Sequence, residues 1–200
     1  MREAVGRVLA ARKDLVAGLP PGLKKREAEG GCGVLGLAST KPIAGRHLFP
    51  AMHQMHNRGN GKGGGIAAVG LDPDQMGVDA ELLARDYLLL VAYLDPSCRE
   101  EVEAEYVFGP FDVDHAEALP TRRVEEVPGL EVRPPDVVRY FVRPRADRLQ
   151  AFAEEADLRD LPRGELEDEF VYRNSYRLNT AFYASLGDQR AFVLSHGKDL

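Results

Sequence analysis

The chain has 200 residues and an ordinary globular composition, 44% hydrophobic and 29% charged, which is enough for one sizeable domain or a domain with an insertion. A formal net charge of −6 lacks the basic excess that nucleic acid or anionic membranes require, and it favours small-molecule or protein partners. With two cysteines, no apolar run near the roughly 20 residues of a membrane span and no secretory signal pattern, we expect a cytoplasmic protein.

The first 31 residues precede the stretch on which the chemistry depends. Residues 1–19 predict one amphipathic helix, because apolar side chains recur at helical spacing between charges. Pro20-Pro21-Gly22 ends it, and a polar connector leads to Gly30-Gly31. We expect residues 1–31 to be a propeptide or an N-terminal extension.

Cys32 is the candidate nucleophile. A thiol attacks an amide only as thiolate, and its free pKa of about 8.5 calls for a base. If Cys32 became the first residue, its own α-amino group, with a pKa of roughly 7.7 to 8.0, would supply that base. Flanking glycines allow close approach, and Val34-Leu35-Gly36-Leu37 predicts a buried strand behind the thiol. The alternative interpretation is an ordinary buried thiol behind a docked N-terminal helix.

The next segments predict a helix and a second strand. Leu48, Met52 and Met55 form one apolar stripe, with Pro50 tolerated only in the first turn. The histidines at positions 47, 53 and 56 lack a zinc-site pattern, so we interpret them as surface residues and assign no metal. Ile66 to Val69 predicts another buried strand. Two G-x-G-x-x-G lookalikes, at 31–36 and 59–64, lack the strand-to-helix context of phosphate loops, and we assign no cofactor to them.

From residue 72 to 164 the chain is charged and alternates strand and helix patterns. Strands are predicted at 87–94 and 137–142, with possible short strands between 113 and 127, and helices at 97–106 and 146–156. This order suggests an inserted ferredoxin-like module. Cys98 lies at the start of a predicted helix, but the glutamates after it would raise a thiol pKa and no histidine is near in sequence, which favours a structural role. A helix over 165–183 and a strand over 190–195 follow.

The opening motifs resemble a known family. Cys32-Gly33-Val34-Leu35-Gly36-Leu37, then Asn57-Arg58-Gly59 and a glycine-led strand, resemble the start of a class II glutamine amidotransferase domain, an N-terminal nucleophile hydrolase. Together with the charged insertion and the C-terminal end, the chain is most similar to the amidotransferase subunit of archaeal-type glutamate synthases. Asn57 stands where the family commonly has His.

The resemblance implies an α+β fold: an αββα sandwich formed by 32–71 and 165–200, interrupted by the module at 72–164. It implies that Cys32 attacks the side-chain amide of L-glutamine, that Arg58 and Gly59 line the glutamine pocket, and that ammonia passes to a synthase partner. This chain would carry no cofactor, whereas the partner synthase subunits would carry FMN and iron-sulfur clusters.

The family's remaining site elements are not found before Leu200. The Asn-Gly pair at Asn60-Gly61 is too close to Arg58 to be the family's oxyanion pair. Arg177-Leu178-Asn179-Thr180 imitates the family's arginine motif for glutamine, but it lies in a predicted helix and no Asn-Gly pair follows it. We therefore expect an incomplete, truncated amidotransferase domain. Two alternatives stay open, an amidophosphoribosyltransferase-type enzyme and a non-catalytic subunit or inactive fragment that acts as a protein-interaction module.

Overall fold

The computed structural model describes residues 2–16, 33–55, 65–126, 133–183 and 189–199. These residues have a mixed α+β fold with one four-stranded antiparallel sheet. The helices are α1 Arg2–Ala11, α2 Lys13–Val16, α3 Phe49–Met55, α4 Pro73–Met76, α5 Ala80–Arg85, α6 Arg99–Val102, α7 Ala146–Glu155 and α8 Arg163–Phe182. The strands are β1 Tyr87–Tyr93, β2 Phe111–Leu119, β3 Asp136–Pro144 and β4 Ala191–Gly197. Short 3₁₀ turns span Gly45–Leu48, Pro96–Cys98 and Val124–Glu126, and a π-helical turn spans Glu103–Val107.

The sheet has the strand order β2-β3-β1-β4, and every neighbouring pair is antiparallel. Along the chain the elements run strand, helix, strand, strand, helix, strand. The two central strands, β1 and β3, pair in register with Leu89 opposite Tyr140. Each half of the sheet is therefore built from a strand, a helical crossover and a second strand, and the two halves interleave.

The main core lies between one face of the sheet and the helices α6, α7 and α8. Alternate residues of β1 and β3 point into it, as the two-residue period of a strand requires. Phe152 of α7 and Phe170 of α8 meet there edge to face, with ring centroids 5.4 Å apart. The strand residues of this core are Tyr87, Leu89, Val91, Tyr93, Val138, Tyr140 and Val142. Each central strand has a neighbouring strand on both edges and helices over one face, which explains why most of its side chains are buried.

The opposite face of the sheet contacts the segment just before β1. Arg139 of β3 is buried there and donates from Nη2 to the carbonyl oxygen of Met76 at 2.9 Å. The carboxylate of Asp72 caps α4 by accepting from the amides of Asp74 and Gln75. Both α4 and α5 were missed at the sequence level, because helices of four and six residues carry too little periodic signal.

Most predicted elements after residue 86 are confirmed. The predicted strands at 87–94, 137–142 and 190–195 correspond to β1, β3 and β4, and the helices at 146–156 and 165–183 correspond to α7 and α8. The predicted helix at 97–106 begins with the Asp95 cap and continues through α6 into the π turn. The region 113–127 supplies β2, one nine-residue strand. The α8 helix also contains Arg177-Leu178-Asn179-Thr180, as predicted.

Two predicted strands are wrong. Residues 34–37 and 66–69 have no regular secondary structure, and their apolar side chains are exposed. A strand is stable only when a neighbour satisfies its backbone groups, and neither segment pairs with another described strand. The described residues accordingly form one sheet. The strand in the segment 165–200, β4, pairs with β1 in that same sheet, and α8 packs against the sheet.

Candidate functional site

The three predicted site residues, Cys32, Arg58 and Gly59, lie outside the described residues. The same holds for His56, Asn57 and the turn predicted at Gly187-Asp188. The surroundings of the candidate site are therefore described from the residues that adjoin it in the sequence. These are the segments 33–55 and 65–71, together with the end of β4.

The backbone next to Cys32 lies against the end of α3. A methyl group added at Gly33 would stand 2.9 Å from Cβ and 3.0 Å from the carbonyl oxygen of Met55. Real Cβ atoms do not approach other atoms so closely, so only glycine fits here without a shift of the helix end. The contact brings the residue after Cys32 beside the residue three positions before Arg58.

The helix α3 is short and half exposed, and it forms as predicted. Pro50 occupies its first turn, where the missing amide hydrogen costs no helical bond. Met52 and Met55 are partly buried, whereas His47 and His53 are exposed. Within the described ranges, no group of three or more His, Cys, Asp or Glu side chains is arranged to hold a metal ion.

The segments on either side of α3 expose several large apolar side chains. Val34 is 87% exposed and Val69 is 77% exposed. The others are Leu35, Leu37, Ile43, Phe49 and Ile66. Several large apolar side chains are thus accessible to water in these two segments and in α3.

The two ends of the sheet region are joined to each other. After β4, the carboxylate of Asp199 accepts hydrogen bonds from the amides of Gly70 at 2.6 Å and Leu71 at 2.8 Å. Gly70 has a φ of +71°, the left-handed region that favours glycine, which turns both amides toward one side. The chain segment that leads into the sheet region and the segment that follows its last strand therefore lie side by side. Sequence reasoning missed Asp199, since nothing local marks a carboxylate that caps a turn 128 residues away.

Cys98 is a structural thiol, as the sequence analysis favoured. Its side chain is fully buried, and its Sγ donates to the carbonyl oxygen of Asp95 at 3.1 Å. Burial raises the pKa of this thiol, and the nearby cation of Arg190 only partly offsets that effect. A thiol that stays protonated at neutral pH is a poor nucleophile. Cys98 therefore offers no competing catalytic centre.

A pair of carboxylates beside β1, of which Asp86 is buried and Asp114 is exposed, was also missed at the sequence level. Asp86 is 1% exposed and receives a hydrogen bond from Arg85 Nε at 2.7 Å, while Asp114 receives one from Arg143 Nε at 2.6 Å. Burial raises the pKa of Asp86, whereas the bond from Arg143 lowers the pKa of Asp114 to about 2. Because both carboxylates are engaged by guanidinium groups, the cluster ties β1, β2 and β3 together and is a structural network.

The comparisons with known proteins leave the family open. No family model matches the chain, and no solved structure matches it. A protein of Archaeoglobus fulgidus described as uncharacterized is 30% identical over 174 residues, which cover 84% of this chain. The aligned part is 38% of that relative's length. No helix in the described ranges is long and apolar enough to cross a membrane.

Proposed function

We propose that the chain is a class II glutamine amidotransferase domain that releases ammonia from L-glutamine for a glutamate synthase-like partner. In this scheme Cys32 becomes the first residue, and its α-amine takes the thiol proton as sulfur attacks the side-chain amide carbon. The proton passes to the leaving nitrogen, which departs as ammonia and leaves a thioester. Water then attacks the thioester and yields glutamate and the free thiol. A reducing cytoplasm suits this chemistry, because the thiol must stay unoxidised.

The observation that carries the proposal is the approach of Gly33 to Met55. A glutamine pocket with Cys32 on one side and Arg58 and Gly59 on the other needs the two motifs close in space. Gly33 and Met55 are the described residues nearest to the motifs in sequence, and they are in van der Waals contact range. Chain segments 22 residues apart thus meet next to the proposed pocket.

The proposed architecture is an amidotransferase domain interrupted by a ferredoxin-like module. The strand order β2-β3-β1-β4 and the interleaved crossovers are typical of that module. An inserted domain must have its two ends close together so that the host domain can close around it. The bonds from Gly70 and Leu71 to Asp199 hold the chain just before the proposed module at 72–164 against the end of the segment 165–200, which favours a host domain formed by 32–71 and 165–200.

The test uses the purified protein after the chain has been cut ahead of Cys32, so that Cys32 carries a free α-amine, and a γ-diazoketone analogue of glutamine, which alkylates the nucleophile of such sites. We expect one adduct per chain, mapped to Cys32 by peptide mass spectrometry. Cys32→Ser should abolish it, and Cys98→Ser should leave it unchanged, because Cys98 is buried. Labelling at Cys98, or equal labelling of Cys32→Ser, would contradict the proposed nucleophile.

A matched glycine pair tests the carrying observation. Gly33→Ala forces its new methyl group into Met55, whereas a methyl group at Gly36 meets no atom of the described part of the chain within 4 Å. We expect Gly33→Ala to slow labelling of Cys32 by roughly tenfold or more, since small misplacements of a reacting group are costly. Gly36→Ala should label at the rate of the unsubstituted chain. Equal rates for the two variants would show that the contact does not position the site.

A second candidate function is a non-catalytic subunit whose exposed apolar segments dock a partner. The observation that favours it is the exposure of 34–37 and 66–69. Under this candidate the glutamine analogue labels no cysteine, and the full chain binds the synthase partner with unchanged affinity in Cys32→Ser.

A further inference from the structure

The N-terminal helix α1 lies on the ferredoxin-like region through one of its faces. Val8 and Ala11 pack against the main core, while Val5 and Leu9 on the other side are 53% and 58% exposed. Arg7 Nη1 donates to Asp160 at 2.8 Å at the edge of this contact. Only part of the apolar pattern of this helix is therefore buried, because Val5 and Leu9 stay exposed.

Arg12, directly after α1, makes the most specific contact. Its Nε donates to both carboxylate oxygens of Glu169 at 3.0 and 3.1 Å, and its Nη2 donates to Oε2 at 2.6 Å. Its guanidinium carbon also lies 4.0 Å from the ring centroid of Tyr172, which is the geometry of a cation–π contact. A carboxylate below and an aromatic face beside the guanidinium form a site selective for arginine over lysine.

On the α8 side, a second cation holds the same carboxylate. Glu169 is 3% exposed, and Arg173 Nε holds it from one helical turn away at 2.9 Å. Arg173 is itself buried, and among the described residues its Nη2 has no hydrogen-bond partner. Without Arg12, Glu169 would keep one cation and lose the fork of bonds from the other. The carboxylate is thus held in position to receive a guanidinium.

We propose that Glu169 and Tyr172 form an arginine-binding site on α8, and that this site retains the N-terminal segment on the protein after the chain is cut ahead of Cys32. The occupant is residues 1–16 of this chain. The binding site stands on the described contacts, whereas the cut ahead of Cys32 rests on the proposed function. A ten-residue helix is shorter than the roughly 12 to 15 residues needed for stability in water, so α1 depends on this docking for its structure.

Hydrogen exchange on the full chain tests the binding site alone. The amides of α1 should be protected in the unsubstituted protein, and Arg12→Ala should speed their exchange by roughly 30-fold or more, since it removes one partner of a partly buried, multiply hydrogen-bonded ion pair. Lys13→Ala is the matched control, because its side chain is exposed, and it should leave α1 protection unchanged. Equal protection in Arg12→Ala would overturn the arginine site.

Retention is tested by cutting the chain. A site-specific protease sequence is placed within residues 20–29, the full chain is cut, and the products are separated by size-exclusion chromatography. We expect the N-terminal piece to elute with the remainder, to elute separately in Arg12→Ala, and to be displaced by excess synthetic peptide 1–16. Separate elution without any substitution would overturn retention. These outcomes do not depend on the reactivity of Cys32, so a failed labelling experiment and a failed retention experiment are distinguishable.

Discussion

Similar apolar runs occur in the described residues of 33–69 and in the region 86–199, but they are exposed in the first region and buried in the second. Val34 is 87% exposed, whereas Val91 in the centre of the sheet is fully buried. The strand β1 has β3 on one side, β4 on the other and helices above, so its backbone bonds and side chains are satisfied together. Residues 34–37 have none of these among the described residues. An apolar run therefore becomes a strand only where neighbours exist to receive it.

The largest expected effect comes from matched leucines in the two regions. Leu89→Ala should lower the free energy of unfolding by about 2 to 5 kcal/mol, because it leaves a cavity in the main core. Leu37→Ala should change it by less than about 0.5 kcal/mol, since Leu37 is 59% exposed. Urea unfolding followed by circular dichroism measures both. Equal losses for the two variants would mean that both regions are packed in solution.

A smaller effect is expected inside the sheet region. The hydroxyl of Tyr140 lies 2.9 Å from that of Tyr93 and donates to Glu103 Oε1 at 2.6 Å. Tyr140→Phe should lower the free energy of unfolding by about 1 to 3 kcal/mol, because these buried partners lose a bond. Tyr183→Phe is the control, because Tyr183 is 40% exposed, and it should have almost no effect. A neutral Tyr140→Phe would mean that water replaces the hydroxyl.

The ion pair that joins the N-terminal segment to α8 should respond to pH. Burial raises the pKa of Glu169, but the bonds from Arg12 and Arg173 outweigh it and hold the pKa below its ordinary value. A lowered carboxyl pKa contributes stability above the ordinary value of about 4.3, and that stability is lost as pH falls through the folded pKa. The stability difference between the unsubstituted protein and Glu169→Gln should therefore shrink as pH falls below about 4. A difference that stays constant from pH 7 to pH 3 would contradict this assignment.

The smallest expected effect concerns Cys98. Because this thiol is fully buried and its pKa is raised, iodoacetamide at neutral pH should modify it only after unfolding. Peptide mass spectrometry of native and urea-treated protein measures the difference. Rapid modification of native Cys98 would show that the 3₁₀ turn Pro96–Cys98 exposes its thiol to water in the folded protein.

The sequence predicted the sheet region well and the region before it poorly, for a physical reason. The runs that became β1, β3 and β4 and the long periodic helix α8 all bury the residues that their patterns select. The runs at 34–37 and 66–69 have equally apolar letters, but a local pattern does not reveal whether a neighbouring strand exists. The same limit applies to α1, where Val8 packs against the core but Val5 and Leu9, which are equally apolar, stay exposed.

For the candidate site, the sequence predicted the chemical roles of residues but not the contacts between them. The glycines around Cys32 indicated a nucleophile, the family resemblance implied that Arg58 and Gly59 line its pocket, and these assignments remain predictions. The contacts that support the site could not be read from the sequence. Gly33 against Met55 and Asp199 under Gly70 and Leu71 join residues far apart in the chain, and no local rule pairs them.

The central claim is that the nucleophilic sulfur and the proton-accepting amine belong to the same residue. The most direct measurement is the intact mass and N-terminal sequence of a preparation that hydrolyses glutamine. The account predicts an active chain that begins at Cys32, with the N-terminal segment present as a separate piece. Glutamine hydrolysis by a chain that still carries Met1 would contradict it.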